Sequence, residues 1–192
     1  GNGYDDEWIK EATEKRGLLN LKTTPDCMPK LLDKKNVDML TSHKVFSKAE
    51  LESRFEIMLD NYTKTVTIEA LTMVDMAKKQ ILPAIEAYVA KLAKTASVKL
   101  SVAPELPCKY EKGLIAKLSA LTDTIADRTK ILEDALISLK AIDSVPEAAN
   151  YIRDEIIPKM GELRISVDEA ETMTSEKDWP LPSYGELLFS VR

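Results

Sequence analysis

Apolar positions recur at intervals of three and four over most of the chain. The longest run starts at Ser47, which reads as an N-cap with Glu50 completing a capping box three residues later. Its stripe is Leu51, Phe55, Met58, Tyr62, Val66, Met73, Ala77, Ile81, Ile85, Tyr88 and Leu92. The spacing predicts one long helix, or two nearly collinear ones, from Ser47 to about Lys94. Pro83 is the one breaker, and it predicts a kink one turn back rather than an end. Ser101 to Pro107 holds two prolines and reads as a connector. A second long helix is predicted from about Tyr110 to Ala141, on Leu114, Leu118, Leu121, Ile125, Leu132, Leu136 and Leu139. Arg128 and Thr129 are the only polar break in that seam. A third runs from about Pro146 to Ser175, on Ile152, Ile156, Met160, Leu163 and Val167, bent at Pro158.

The flanks differ. Asp5 to Arg16 has acid in its first turn, base in its last, and Gly17 as a C-cap, the order a helix dipole favours. Leu18 to Lys22 reads as a loop. Thr24 is expected to cap a short helix opened by Pro25 and running to about Asp33; another covers Val37 to His43. At the other end, Lys177 to Arg192 begins with prolines that forbid a regular helix, yet it is strongly apolar. The expected fold is all-α: short helices over 1–46, a long antiparallel bundle of three helices over 47–176, and an apolar strap over 177–192.

Composition supports this class. With 192 residues the chain can bury a core without staples, and six glycines with 6% aromatics favour helix over sheet. Lys and Arg number 27 against 32 Asp and Glu, a formal net charge of -5, with no basic stripe, which argues against nucleic acid. No apolar run approaches the roughly 20 residues that span a bilayer. Cys27 and Cys108 are far apart in no metal-binding spacing and read as free thiols of a cytoplasmic protein. The start at Gly-Asn-Gly without methionine suggests a piece of something longer.

Catalytic chemistry is hard to assemble from these residues. His43 is the single histidine, and at a helix end it reads as a cap or surface residue rather than as the base of a Ser-His-Asp or Cys-His set or a metal ligand. No glycine-rich phosphate loop occurs. Acidic pairs such as Asp127 with Glu133, and Asp168 with Glu169 and Glu171, read as solvated helix faces, because a di-metal bundle needs inward Glu-x-x-His motifs. Met58, Met73, Met76 and Met160 read as core filler. No catalytic, cofactor-binding or metal-binding residue is assigned. The strap either covers an end of the bundle or contacts another domain or subunit.

Particular motifs carry a resemblance. Gly1-Asn2-Gly3-Tyr4-Asp5-Asp6-Glu7-Trp8, Glu11-Ala12, Arg16-Gly17-Leu18 and Asn20-Leu21-Lys22-Thr23-Thr24-Pro25 resemble a segment of type III glutamine synthetases. Val45-Phe46-Ser47-Lys48 with Glu50-Leu51, Arg54, Glu56-Ile57 and Tyr62 is similar to that family's helix leading into its C-terminal bundle. Ile68-Glu69 and Ile81-Leu82-Pro83-Ala84 continue it. Trp179-Pro180-Leu181-Pro182-Ser183-Tyr184-Gly185-Glu186-Leu187-Leu188-Phe189 is similar to the family terminus. The stretch from Lys91 to Lys140 matches by helical character alone.

The resemblance implies a parent enzyme that joins ammonia to glutamate through γ-glutamyl phosphate, using ATP with Mg or Mn. It also implies stacked rings of identical subunits, and catalytic residues on a β-rich domain outside this sequence. This chain is then expected to be a non-catalytic helical domain that packs on its own catalytic domain and on neighbouring subunits. The candidate contact residues are Trp8, Trp179, Tyr184, Leu187, Leu188 and Phe189. The alternative is a free-standing helical adaptor or sensor bundle that binds a protein partner through one helix face.

Overall fold

The computed structural model describes residues 2–189. Among them 78% is helix and there is no strand, so the chain is all-α. They fall into two units, Gly1–Lys64 with Asp143–Arg153, and Thr65–Ile142 with Asp154–Arg192.

In the first unit, α1 (Asp6–Lys10) opens on Asp5, whose side chain accepts from the Glu7 amide, and passes into a π-turn, Glu11–Lys15. Gly17 ends it at φ 67°, a left-handed position that favours glycine, while the Leu18 amide reaches back to the Ala12 carbonyl at 2.9 Å. The cap of α2 (Thr24–Cys27) is Thr23 rather than Thr24. Its hydroxyl accepts from the Asp26 amide, and Pro25 sits one step inside the first turn. Pro29 turns the continuation into a 3-10 segment, Met28–Leu32, because it removes an amide donor there. The next helix, α3 (Lys34–Ser42), starts three residues earlier than expected, and His43 caps its end, exposed. The predicted capping box opens α4 (Lys48–Met76): the Ser47 amide donates to Glu50 at 2.7 Å and the Glu50 amide to Ser47 Oγ at 3.3 Å. The Ser47 amide and, at 2.9 Å, the Ser47 hydroxyl both donate to the Glu50 carboxyl and hold it below its ordinary range. The short helix α7 (Val145–Tyr151) is capped by Ser144, and Arg153 after it pairs with Asp26 at 2.6 Å. Leu51, Leu59, Ala149 and Ile152 are the fully buried apolar side chains of this unit.

The second unit holds the long-helix packing. From Lys48 the helix runs without a break for 55 residues, through a π-turn at Ala77–Ile81 and on to α5 (Leu82–Val102). That π-turn lies one turn before Pro83. The proline ring clashes with the carbonyl four residues back and offers no donor to it, so the backbone widens there and the helix continues. The same solution recurs at Pro158, preceded by a π-turn at Ile152–Ile156, before α8 (Ile157–Glu171). The helix α6 (Lys109–Leu139) packs along both α5 and α8. Its stripe is as expected except at Leu114, which is half-buried: Leu118, Leu121, Ile125, Leu132, Leu136 and Leu139 are buried.

Two expectations about the first long helix are corrected. Met58 is exposed and Leu59 is buried in its place; Met73 is half-buried while Val74 is buried. The missed member is Ala70, fully buried, which carries little apolar signal but allows close backbone approach. The methionines read as core filler are not in the core: Met73, Met76 and Met160 are only half-buried. The connector is shorter than expected, since helix extends to Val102. It ends at Cys108, which is buried in the left-handed region at φ 43°. Cys27 and Cys108 are both free thiols.

Candidate functional site

The polar break in α6 is part of the packing. Thr129 is 1% exposed, and its hydroxyl donates to the Ile125 carbonyl at 2.7 Å, which satisfies it within the helix. Arg128 reaches α8, donating to the Glu162 carbonyl at 2.6 Å and to Ser166 Oγ at 2.9 Å. Near the start of α6, Glu111 is nearly buried and pairs with Lys99 of α5. The bond to Lys99 holds the Glu111 carboxyl below its ordinary range, and the same bond holds the ammonium above its own. Three of the five acidic residues considered from the sequence sit beside cations: Glu133 takes Lys78 at 2.5 Å, Glu169 takes Lys117 at 2.9 Å, and Asp168 takes Arg164 at 3.3 Å. Among the described residues no three His, Cys, Asp or Glu side chains group as metal ligands, and no helix is long and apolar enough to cross a membrane.

The strap divides into an anchored root and an exposed end. At the root, Asp178 pairs with Lys91 of α5, and the amides of Asp178 and Trp179 both donate to the Ser175 carbonyl, at 2.8 and 3.0 Å. Asp178 also lies close enough to the half-buried Tyr88 to help raise its hydroxyl above the ordinary value, after burial and Tyr110. Trp179 is half-buried, and its Nε1 is buried with no acceptor among the described residues.

Beyond Pro182 the chain forms α9 (Tyr184–Leu188). A capping box starts it: the Ser183 amide donates to Glu186 at 2.7 Å and the Glu186 amide to Ser183 Oγ at 3.3 Å. Tyr184, Leu187 and Leu188 stand at i, i+3 and i+4, so they share one face. That face is open: Tyr184 is 85% exposed, Leu187 58%, Leu188 74%, and Phe189 just after them 80%. Of the candidate contact residues in the strap, four are therefore exposed together, and Trp179 serves the root.

Trp8 lies in the first unit and is 38% exposed. The Arg16 guanidinium stacks on its ring, 4.9 Å from the centroid, and is held there by Glu11 at 2.6 Å. Trp8 lines a crevice of about 220 Å³ with Ile9, Leu18 and Leu19. Leu18 and Leu19 lie in the expected loop and are exposed; three leucines in four residues, with no helical or strand periodicity to bury them, are the signal for this surface.

These surfaces belong to a chain with clear relatives. A family model described as "Glutamine synthetase C-terminal domain" matches residues 1–99. A glutamine synthetase of Butyrivibrio fibrisolvens is 40% identical over 195 residues, covering 100% of this chain and 27% of the relative. A type-3 glutamine synthetase of Dictyostelium discoideum is 28% identical, covering 98% of this chain and 26% of the relative. A glutamine synthetase of Bacteroides fragilis is 27% identical, with 99% and 26% covered. The chain thus spans about a quarter of the length of these relatives, while the family match takes in its N-terminal half and leaves the strap to the pairwise relatives. The resemblance read from the end motifs agrees with both, and the chain belongs to the glutamine synthetase C-terminal domain family.

Proposed function

We propose that this chain is a packing module of a larger glutamine synthetase, holding the rest of its own subunit and neighbouring subunits of a ring-shaped homo-oligomer. The parent reaction is then ATP-dependent ligation of ammonia to glutamate, with ATP and Mg or Mn bound outside this chain. Family membership and the free thiols support a cytoplasmic enzyme of this kind.

The observation that carries the packing role is the exposed face of α9. A five-residue helix is far too short to persist in water on local bonds alone, and its cap contributes only about 1 kcal/mol. Burying a large apolar side chain contributes roughly 1.5–3 kcal/mol, so a surface that covers Tyr184, Leu187, Leu188 and Phe189 outweighs the cost of ordering this segment. The root, tied to α5 by the Asp178–Lys91 pair, limits where that face can go, which lowers the entropy lost on docking.

The test is made in a full-length synthetase that carries this sequence. Leu187→Asp with Leu188→Asp should lower the oligomer mass in light scattering and reduce glutamine formation, while the helical signal is retained. Wild-type mass and activity for that variant would remove the proposal.

A further inference from the structure

A second apolar surface lies within the second unit, and of the strap only Leu181 reaches it. The C-terminal end of α4 and the π-turn after it form one wall; α8 forms the other. Between them runs a groove of about 520 Å³. Its length is set by Ile68 to Ile81 on one side, which at 1.5 Å per residue is roughly 20 Å. That length suits about three turns of helix.

The floor is made by Met73, Met76, Met160 and Val167, all half-buried. Three unbranched thioether side chains give a polarizable lining that re-forms around different apolar shapes. The rim is acidic. Glu69 stands on one wall and Glu171 on the other, and neither has a cation partner among the described residues. Arg164 is the cation of the groove, and it is already tied to Asp168 at 3.3 Å.

We propose that this groove binds an amphipathic helix of a protein partner, with an apolar stripe bordered on both sides by Lys or Arg. The stripe fills the methionine floor, and the flanking cations meet Glu69 and Glu171 on opposite walls. Charge selects this occupant over a second copy of the chain. The chain's own exposed apolar helix, α9, carries Glu186, which would bring a further carboxylate to an acidic rim.

The probe is a synthetic 14-residue peptide of Leu and Lys, with Leu at i, i+3, i+4 and i+7, and its counterpart with Glu in place of Lys. It is titrated into the 192-residue chain labelled at the methionine methyl groups. The chain has seven methionines, which makes the footprint readable by nuclear magnetic resonance. The Lys peptide should move Met73, Met76 and Met160 and leave Met28, Met39, Met58 and Met173 in place; the Glu peptide should move none. Glu69→Lys with Glu171→Lys should weaken binding at least tenfold. Glu52→Lys with Glu56→Lys, the same charge change on the exposed start of α4, should leave it unchanged. Equal weakening by both pairs, or shifts at all seven methionines, would mean diffuse attraction to a net negative chain and would overturn the proposal. So would absence of binding, or groove signals that depend on protein concentration without peptide, which would identify a second copy as the occupant.

Discussion

The two sides of α8 are both apolar, yet they are finished differently. Toward α6, Ser166 and Ala170 are buried, and Arg128 closes the seam with two hydrogen bonds. Toward α4, Met160 and Val167 remain half-buried over a groove whose rim carries carboxylates without cations. The first side is packed as a core is packed, so loss of a buried apolar group leaves a cavity. The second side is half-open to solvent. Stability and recognition therefore separate onto opposite faces of one helix, and substitutions should separate them in experiment.

The largest effect is expected inside the closed seam. Leu132 is fully buried in α6, and Leu132→Ala should cost about 2–5 kcal/mol in urea unfolding. Arg128→Ala comes next, because it removes both charge-assisted hydrogen bonds from α6 to α8, although Ser166 keeps its own bonds to the Glu162 and Leu163 carbonyls; a loss of about 1–3 kcal/mol is expected from the same measurement. At the groove, Met76→Ala removes a side chain that is only half-buried and should cost less than either. If Met76→Ala is as damaging as Leu132→Ala, the groove is a core and the comparison fails.

The Lys99–Glu111 pair between α5 and α6 sharpens the comparison through pH. The folded carboxyl is depressed, so its contribution is present above the ordinary glutamate value of about 4.3 and is lost as pH falls below that value through the folded one. The folded ammonium is raised, so its contribution is complete below about 10.4 and is lost as pH rises through the higher folded value. Glu111→Gln should therefore flatten the acid limb of the stability profile and leave a smaller loss at neutral pH. An unchanged acid limb would show that the pair contributes nothing; the effect is the smallest of the set because Lys99 is about half exposed to solvent.

Much of this was legible in the residues. Period and capping placed the three long helices, and the two prolines announced their distortions, because a missing donor must be absorbed one turn back wherever the helix continues. The phase of the first helix slipped at Met58 and Met73 because large apolar residues dominate a pattern. The side chains that set the phase were Leu59, Val74 and the small Ala70, whose role depends on a neighbour's approach. The groove was not legible. Met73, Met76 and Met160 keep helical spacing whether a neighbour covers them or not, and only the placement of α6 decides that α4 and α8 leave them half-open. The strap's apolar character was plain, but its division at Pro182 into an anchored root and an exposed helix depends on the long-range pair between Lys91 and Asp178.

The most direct test of the packing role compares a full-length synthetase carrying this sequence with its Leu187→Asp, Leu188→Asp variant, by light scattering and glutamine formation in the same samples. The account predicts a smaller particle with reduced synthesis from a subunit that remains helical. A variant of wild-type mass and wild-type activity would contradict it.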